Sequence, residues 1–161
     1  MPDGMTHVLR AAHDTQNTIA VSLQMMATEH HADAEIAHVA ADLLHWTRET
    51  IAQLAELAAR QGIPLDRAAD EPGLFQQMRA SMASKAKGPV AALLLLENLR
   101  RLYLTASDAS LALELLAQFA QAQRHTEMLE LSTQRHPHTL RVMKWANTMI
   151  KTIAPQVLTN A

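Results

Sequence analysis

The sequence predicts an all-α fold: a four-helix bundle running up-down-down-up, with one long crossover and a fifth, C-terminal helix. Three observations carry that expectation. Hydrophobic residues make up 48% of the chain but aromatics only 3%, so the core falls to Ala, Leu, Ile, Val and Met, mostly good helix formers. Glycine and proline, the strongest breakers, are confined to a few places: Pro2 and Gly4, Gly62 and Pro64, Pro72 and Gly73, Gly88 and Pro89, Pro137, and Pro155. Between them apolar residues recur at spacings of three and four, with no period-2 alternation. At 161 residues the chain has one-domain length and buries roughly two-thirds of its unfolded surface, so residues 1–161 are expected to form one domain.

Residues 5–61 contain neither Gly nor Pro, yet one helix of that length would span ~85 Å at ~1.5 Å per residue. Something must turn the chain, and phase says where. The apolar stripe Met5, Val8, Leu9, Ala12, Ile19, Leu23, Met26 and the stripe Ile36, Val39, Leu43, Thr47, Ile51, Leu54, Leu57 differ by ~120° if carried through one helix. The break lies in the polar run 28–33. Helices over 5–28 and 32–61 follow, with Asp33 or His31 in the N-cap region. Gly62-Ile63-Pro64 ends the second. A crossover over 62–88 holds a short helix near Leu74 to Met78. Pro89 opens a helix over 89–105. Ser107-Asp108-Ala109-Ser110 supplies caps for one over 109–134. Pro137 opens a fifth over 137–153, whose stripe is Val142, Met143, Ala146, Met149, Ile150 and Ile153.

Composition excludes several function classes. A net charge of −2 from 14 basic and 16 acidic residues gives no basic stripe for a phosphate backbone, so no nucleic-acid partner is expected. The longest apolar run, residues 90–96, is far short of the ~18 needed for a span, and no signal peptide is visible, so no membrane partner is expected either. Absence of cysteine rules out disulfides, thiolate metal sites and cysteine nucleophiles, and is compatible with the expected cytoplasmic location. Low Lys against Arg, 4 to 10, suggests a bacterial source. No nucleophile elbow, Walker loop or dinucleotide glycine pattern appears, which leaves the question of an enzyme open.

The histidines are the clearest chemical signal. His31, Glu35, His38, Asp42, His45 and Glu49 fall within ~80° of one another at ~100° per residue, a stripe able either to hold a metal or to face water. The apolar arc of the same helix is centred ~140° away, which turns most of the stripe toward solvent. His45, beside Trp46, is the residue left open.

The order of two long helices, long crossover, two more helices and a short terminal one resembles the ferritin-like superfamily. Residues 43–50 (Leu-Leu-His-Trp-Thr-Arg-Glu-Thr), leading to Leu54, Leu57 and Gly62, are similar to the second helix of the small bacterial ferritin-like stress proteins. The resemblance covers about residues 5–135 and implies iron or manganese. It implies a carboxylate on the first helix, Glu-x-x-His on the second, Glu on the third and Glu-x-x-His on the fourth. Here Gln16 stands at the first position. The one Glu-x-x-His, Glu35 to His38, lies in the first turns of the second helix, and His125-Thr126-Glu127 reverses the order on the fourth. The candidate metal set is therefore His45, Glu49, Glu97 and His125, which lie near mid-helix in the expected elements. Each has a plainer reading: Glu97 as a surface partner of Arg100 and Arg101, His125 as a core histidine bonded to Gln16 and Gln118. His31 and Glu35 with His125 and Glu130 have a spacing that resembles hemerythrin's, without its His-x-x-x-His. Met5, Met26, Met143 and Met149 fall on apolar stripes and read as core rather than as soft-metal or haem ligands.

Two histidine clusters, Glu29-His30-His31-Asp33 and His136-Pro137-His138, are expected at one end of the bundle, where they would titrate near neutrality. Two functional readings stand. One is a metal-binding, stress-related bundle using the four residues above. The other is a metal-free bundle working by protein association, a homo-oligomer through its fifth helix or the small-residue flank Ala34, Ala37, Ala41, Ala52, Ala55 and Ala59.

Overall fold

The computed structural model describes residues 3–160, so Pro2 lies outside the described residues. The fold is all-helical: α1 (Gly4–Glu29), α2 (Ala34–Arg60), α3 (Leu74–Ala83), α4 (Gly88–Ala122) and α5 (Thr126–Thr159), with no strand among the described residues. The first half follows the sequence expectation closely. Asp3 caps α1 by accepting from the Thr6 N–H at 2.7 Å, and Asp33 caps α2 by accepting from Ile36 N–H at 3.2 Å. Gly62, at φ 74°, closes α2 in a Schellman turn. Its own N–H reaches Ala59 O, and Ile63 N–H reaches Ala58 O at 2.9 Å with the Ile63 side chain buried.

The second half corrects it. The expected break at 105–109 does not exist, and α4 runs unbroken for 35 residues. Leu99, Leu102, Ala106, Ala109, Leu113, Leu116 and Ala120 are all buried at strict alternation of three and four, so one apolar face holds the helix through Ser107 and Asp108. Nor does Pro137 open a fifth helix; it lies inside α5. Leu131, Ser132, Arg135, Thr139, Val142 and Ala146 keep one buried face across it. Both Pro137 and Thr133, whose carbonyl loses its helical donor, face solvent, where water can replace the missing bond. The helix over 109–134 is accordingly divided between α4 and α5. The residues assigned to a separate C-terminal helix continue α5, with Met143, Met149, Ile150 and Ile153 packed on the core.

The turn that does exist, Gln123-Arg124-His125, contains no glycine. Arg124 takes the left-handed conformation at φ 54°. Arg124 N–H bonds Gln121 O and His125 N–H bonds Ala120 O at 2.8 Å, the same Schellman pattern as at Gly62. His125 then caps α5, its Nδ1 accepting from Met128 N–H at 3.2 Å.

Four long helices close a ring: α1 packs on α2 and α4, and α5 packs on α4 and α2, while α3 rests chiefly on α1. Cross-helix contacts fix their sense. Glu29 and His30 at the end of α1 meet Asn98 near the start of α4, and Gly4 meets Phe119 at the other end. Arg60 at the end of α2 pairs with Glu127 at the start of α5. So α1 runs against α2 and α4, and α5 runs against α2. The core has two halves: Ile19, Leu23, Met26, Ile36, Leu43, Leu99, Leu102 and Val142 at one end, and Leu9, Leu54, Leu57, Leu113, Leu116 and Met128 at the other.

Arg124 carries the backbone strain of the α4–α5 turn. Replacing it with glycine removes the Cβ clash of the left-handed conformation but costs more backbone entropy, a net stabilisation of about 0.5–1 kcal/mol. Urea denaturation of Arg124→Gly is expected to show that gain, with an unchanged m-value.

Candidate functional site

The four metal candidates do not converge. His45 is on the outside of α2 with 67% of its side chain exposed, and its nearest carboxylate is Glu49 one turn on, at 3.9 Å. Glu97 faces outward from α4 with 60% of its side chain exposed and sits 3.7 Å from Arg100. His125, expected at mid-helix, is the N-cap of α5 at the end of the ring, because α4 ends three residues before it. Gln16 bonds elsewhere. His31, Glu35, His38 and Asp42 are exposed, with His38 and Asp42 3.5 Å apart on the helix surface. No group of three or more His, Asp or Glu side chains is arranged to hold a metal ion among the described residues. The donor set therefore does not fit iron or manganese.

What occupies the middle of the ring is a neutral polar layer between the two core halves. Gln16 of α1 donates through Nε2 to Thr139 Oγ1 of α5 at 2.9 Å, both side chains buried. Thr47 and Ser132 bond to Leu43 O and Leu113 O. These groups are satisfied within the protein, as buried polar groups must be. Gln16, where the resemblance implies a carboxylate, is a hydrogen-bond donor to a hydroxyl.

The second constellation joins α2 to α5. Arg135, 9% exposed, donates through Nε to Gln53 Oε1 at 2.7 Å and through Nη1 to Glu49 Oε2 at 3.4 Å. One turn further, the Trp46 indole stacks on His138 with ring centroids 4.8 Å apart and planes 5° from parallel. Glu49 is thus a partner of Arg135 as well as of His45, and the histidine that meets this face of α2 is His138. Sequence reading missed Arg135 and His138 as site residues. Their signal was the placement of Arg135 and Thr139 on the buried stripe of α5, with His138 beside it.

The two histidine clusters lie apart, contrary to the sequence expectation: His30 is at the α1–α2 turn, His138 within α5 facing Trp46. Burial holds the His30 ring below its ordinary value of 6.5, while Glu29 and Asp33 pull the other way. His30 Nε2 accepts from Asn98 Nδ2 at 2.9 Å, a bond that needs the unprotonated nitrogen. Burial also lowers His138, helped by Arg135 and Arg141 and opposed by Glu49, and its buried Nδ1 has no hydrogen-bond partner among the described residues.

A third feature is the groove between α1, the crossover and α4, a cavity of about 510 Å³ lined by Asn17, Glu29, Asp70, Arg79, Asn98 and Arg101 among others. Three side chains of α1 pin the crossover here. His13 Nε2 donates to Asp66 O at 2.7 Å, Asn17 Oδ1 accepts from Asp70 N–H at 2.7 Å, and Gln24 Nε2 donates to Asp70 O at 2.9 Å.

Thr139→Val leaves the buried Gln16 amide without its acceptor and should cost about 1–3 kcal/mol, whereas Gln16→Leu with Thr139→Val removes both partners and should recover most of that loss. Denaturant titration of the two singles and the double measures the difference. For His30 and His138 the folded pKa lies below the unfolded one, so the unfolded chain takes up protons first as pH falls through about 6.5. Stability is full above that value and declines below it, until the folded rings protonate as well. His30→Gln and His138→Phe together should flatten the profile measured between about pH 5 and 8; an unchanged slope would assign the proton uptake to other groups. No family model, curated protein or solved structure matches this chain.

Proposed function

We propose that the chain is a ferritin-like four-helix bundle, up-down-down-up with its crossover between the second and third long helices, that works by association with a second copy rather than by metal chemistry. The sense of the helices supports the architecture: α1 runs against α2 and α4, and α5 against α2. Against a metal role stand the scattered donors and the neutral Gln16–Thr139 pair at the level where the family's carboxylates would lie.

The observation that carries association is on the outer face of α4. Leu104, Leu111 and Leu115 are each more than half exposed at spacings of seven and four, a leucine seam turned away from the core. Along the same face Arg100 and Arg101 lie toward the start of α4, with Glu97 beside Arg100, and Asp108 and Glu114 lie toward its end. An antiparallel, two-fold pairing of α4 with α4 lays Leu104 over Leu111 of the other copy and Arg100, on the same flank of the seam as Glu114, beside its Glu114. The alanine flank of α2 mixes exposed and buried positions, and the stripe expected for a fifth helix is on the core.

Light scattering after gel filtration tests this directly. Wild-type protein is expected at twice the chain mass of 17.8 kDa, unchanged by a chelator. Leu111→Glu should leave a folded monomer, and Arg100→Glu should weaken the dimer until Glu114→Arg restores it. A wild-type monomer at every concentration, or stoichiometric iron or manganese whose removal dissociates the protein, would overturn the proposal.

A further inference from the structure

The crossover helix α3 is built inside out. Its one buried residue is Ala80, which faces α1. Leu74, Phe75, Met78 and Met82 share an arc of ~100° whose centre lies opposite Ala80, so the apolar side points away from the protein. Phe75 is 77% exposed and Leu74 75%. Polar contacts fix where this helix sits: the crossover is tied to α1 at Asp66 and Asp70, and Gln76 accepts from Gly73 N–H at the start of α3. The apolar side is therefore presented outward by a well-anchored segment. Val90, at the start of α4, is exposed just beyond it.

From Pro72 on the charge of this segment is one-sided, while Asp70 and Glu71 just before it line the grooves against α1. Residues 72–96 hold Arg79, Lys85 and Lys87 and none of the chain's 16 acidic residues, although the chain as a whole is net negative. Like most cations of the chain, Lys85 and Lys87 form no ion pair with a carboxylate among the described residues, and Arg79 borders the groove that Glu29, Asp70 and Glu71 also line. A two-fold contact between copies through this face would set these three cations against the same three, which disfavours a second copy as its occupant. The chemistry that satisfies both halves is an apolar layer beneath an anionic one.

We propose that α3 and the loop after it are a peripheral docking surface for an anionic lipid bilayer, with Leu74, Phe75, Met78 and Met82 entering the interface and Arg79, Lys85 and Lys87 meeting the headgroups. This is independent of the α4 seam, and it differs from a membrane span, which no helix here is long and apolar enough to form.

Flotation of the full chain with vesicles is the test. The protein should float with phosphatidylglycerol in phosphatidylcholine, stay behind with phosphatidylcholine alone, and release as salt is raised. Phe75→Ser with Met78→Ser should reduce vesicle affinity about tenfold or more. Arg79→Gln, Lys85→Gln and Lys87→Gln should each cost roughly fivefold. Because all of these side chains are exposed, far-ultraviolet circular dichroism should match wild type. Failure of the wild type to float with anionic vesicles, or undiminished flotation of the Phe75→Ser/Met78→Ser protein, would overturn the proposal. So would loss of self-association in that variant, which would place the face between protein copies.

Discussion

The hydrogen bond from Gln16 to Thr139 crosses the ring diagonally, between the two long helices that otherwise touch least across the centre. Adjacent helices can slide on one another by a turn and still bury leucine on leucine, because one apolar stripe resembles the next. A buried amide has no such tolerance: it has a partner at one register and an unsatisfied group at every other. The polar layer thus sets the vertical alignment of α1 against α5. Alignment of α5 in turn places Arg135 opposite Glu49 and Gln53, and His138 opposite Trp46. The α2–α5 wall has the thinnest packing of the four, so its polar and aromatic contacts contribute more to closing the ring than they would elsewhere.

Much of the fold was legible in the sequence, and the part that was not shows which signal to trust. Phase located the α1–α2 turn correctly, since the two apolar stripes cannot be joined in one helix. The same test applied to residues 99–120 returns an unbroken spacing of three and four through Ser107 and Asp108, and applied to residues 131–146 it passes through Pro137. Local cap and breaker chemistry argued for ends at both places, and burial of a continuous face outweighed it. Pro137 is tolerated because the helix turns it to solvent, a property of the position and not of the residue. Conversely, the turn at 123–125 uses Arg124 where glycine is usual, so its strongest local marker was missing.

The candidate site was less legible for a related reason. Periodicity tells which residues share a face of one helix, and it rightly turned His31, Glu35, His38 and Asp42 outward. It says nothing about which residue of another helix stands at the same height. His125 was assigned to mid-bundle only through the misplaced end of α4, and moving that end to Ala122 carries the histidine to a cap. Glu49 is expected on α2 as a metal ligand, whereas its place beside Arg135, which also meets Gln53, depends on the antiparallel register of α2 and α5. Gln16 was recognised as a polar residue within an apolar stripe, which is the one sequence mark of the layer that fixes that register.

Much of the surplus apolar surface lies outside, and two portions of it, on α4 and on α3, differ in the charge around them. On α4 the exposed leucines have Arg100 and Arg101 at one end, with Glu97 beside Arg100, and Asp108 and Glu114 at the other, the pattern on which the antiparallel pairing is proposed. On α3 the exposed Leu, Phe and Met are followed by Arg79, Lys85 and Lys87 with no acid between residues 72 and 96, the pattern on which the bilayer proposal rests. Both faces carry apolar residues that the packing of the four long helices leaves uncovered. Charge order along each helix then separates the two proposed contacts, and neither proposal draws on the histidines.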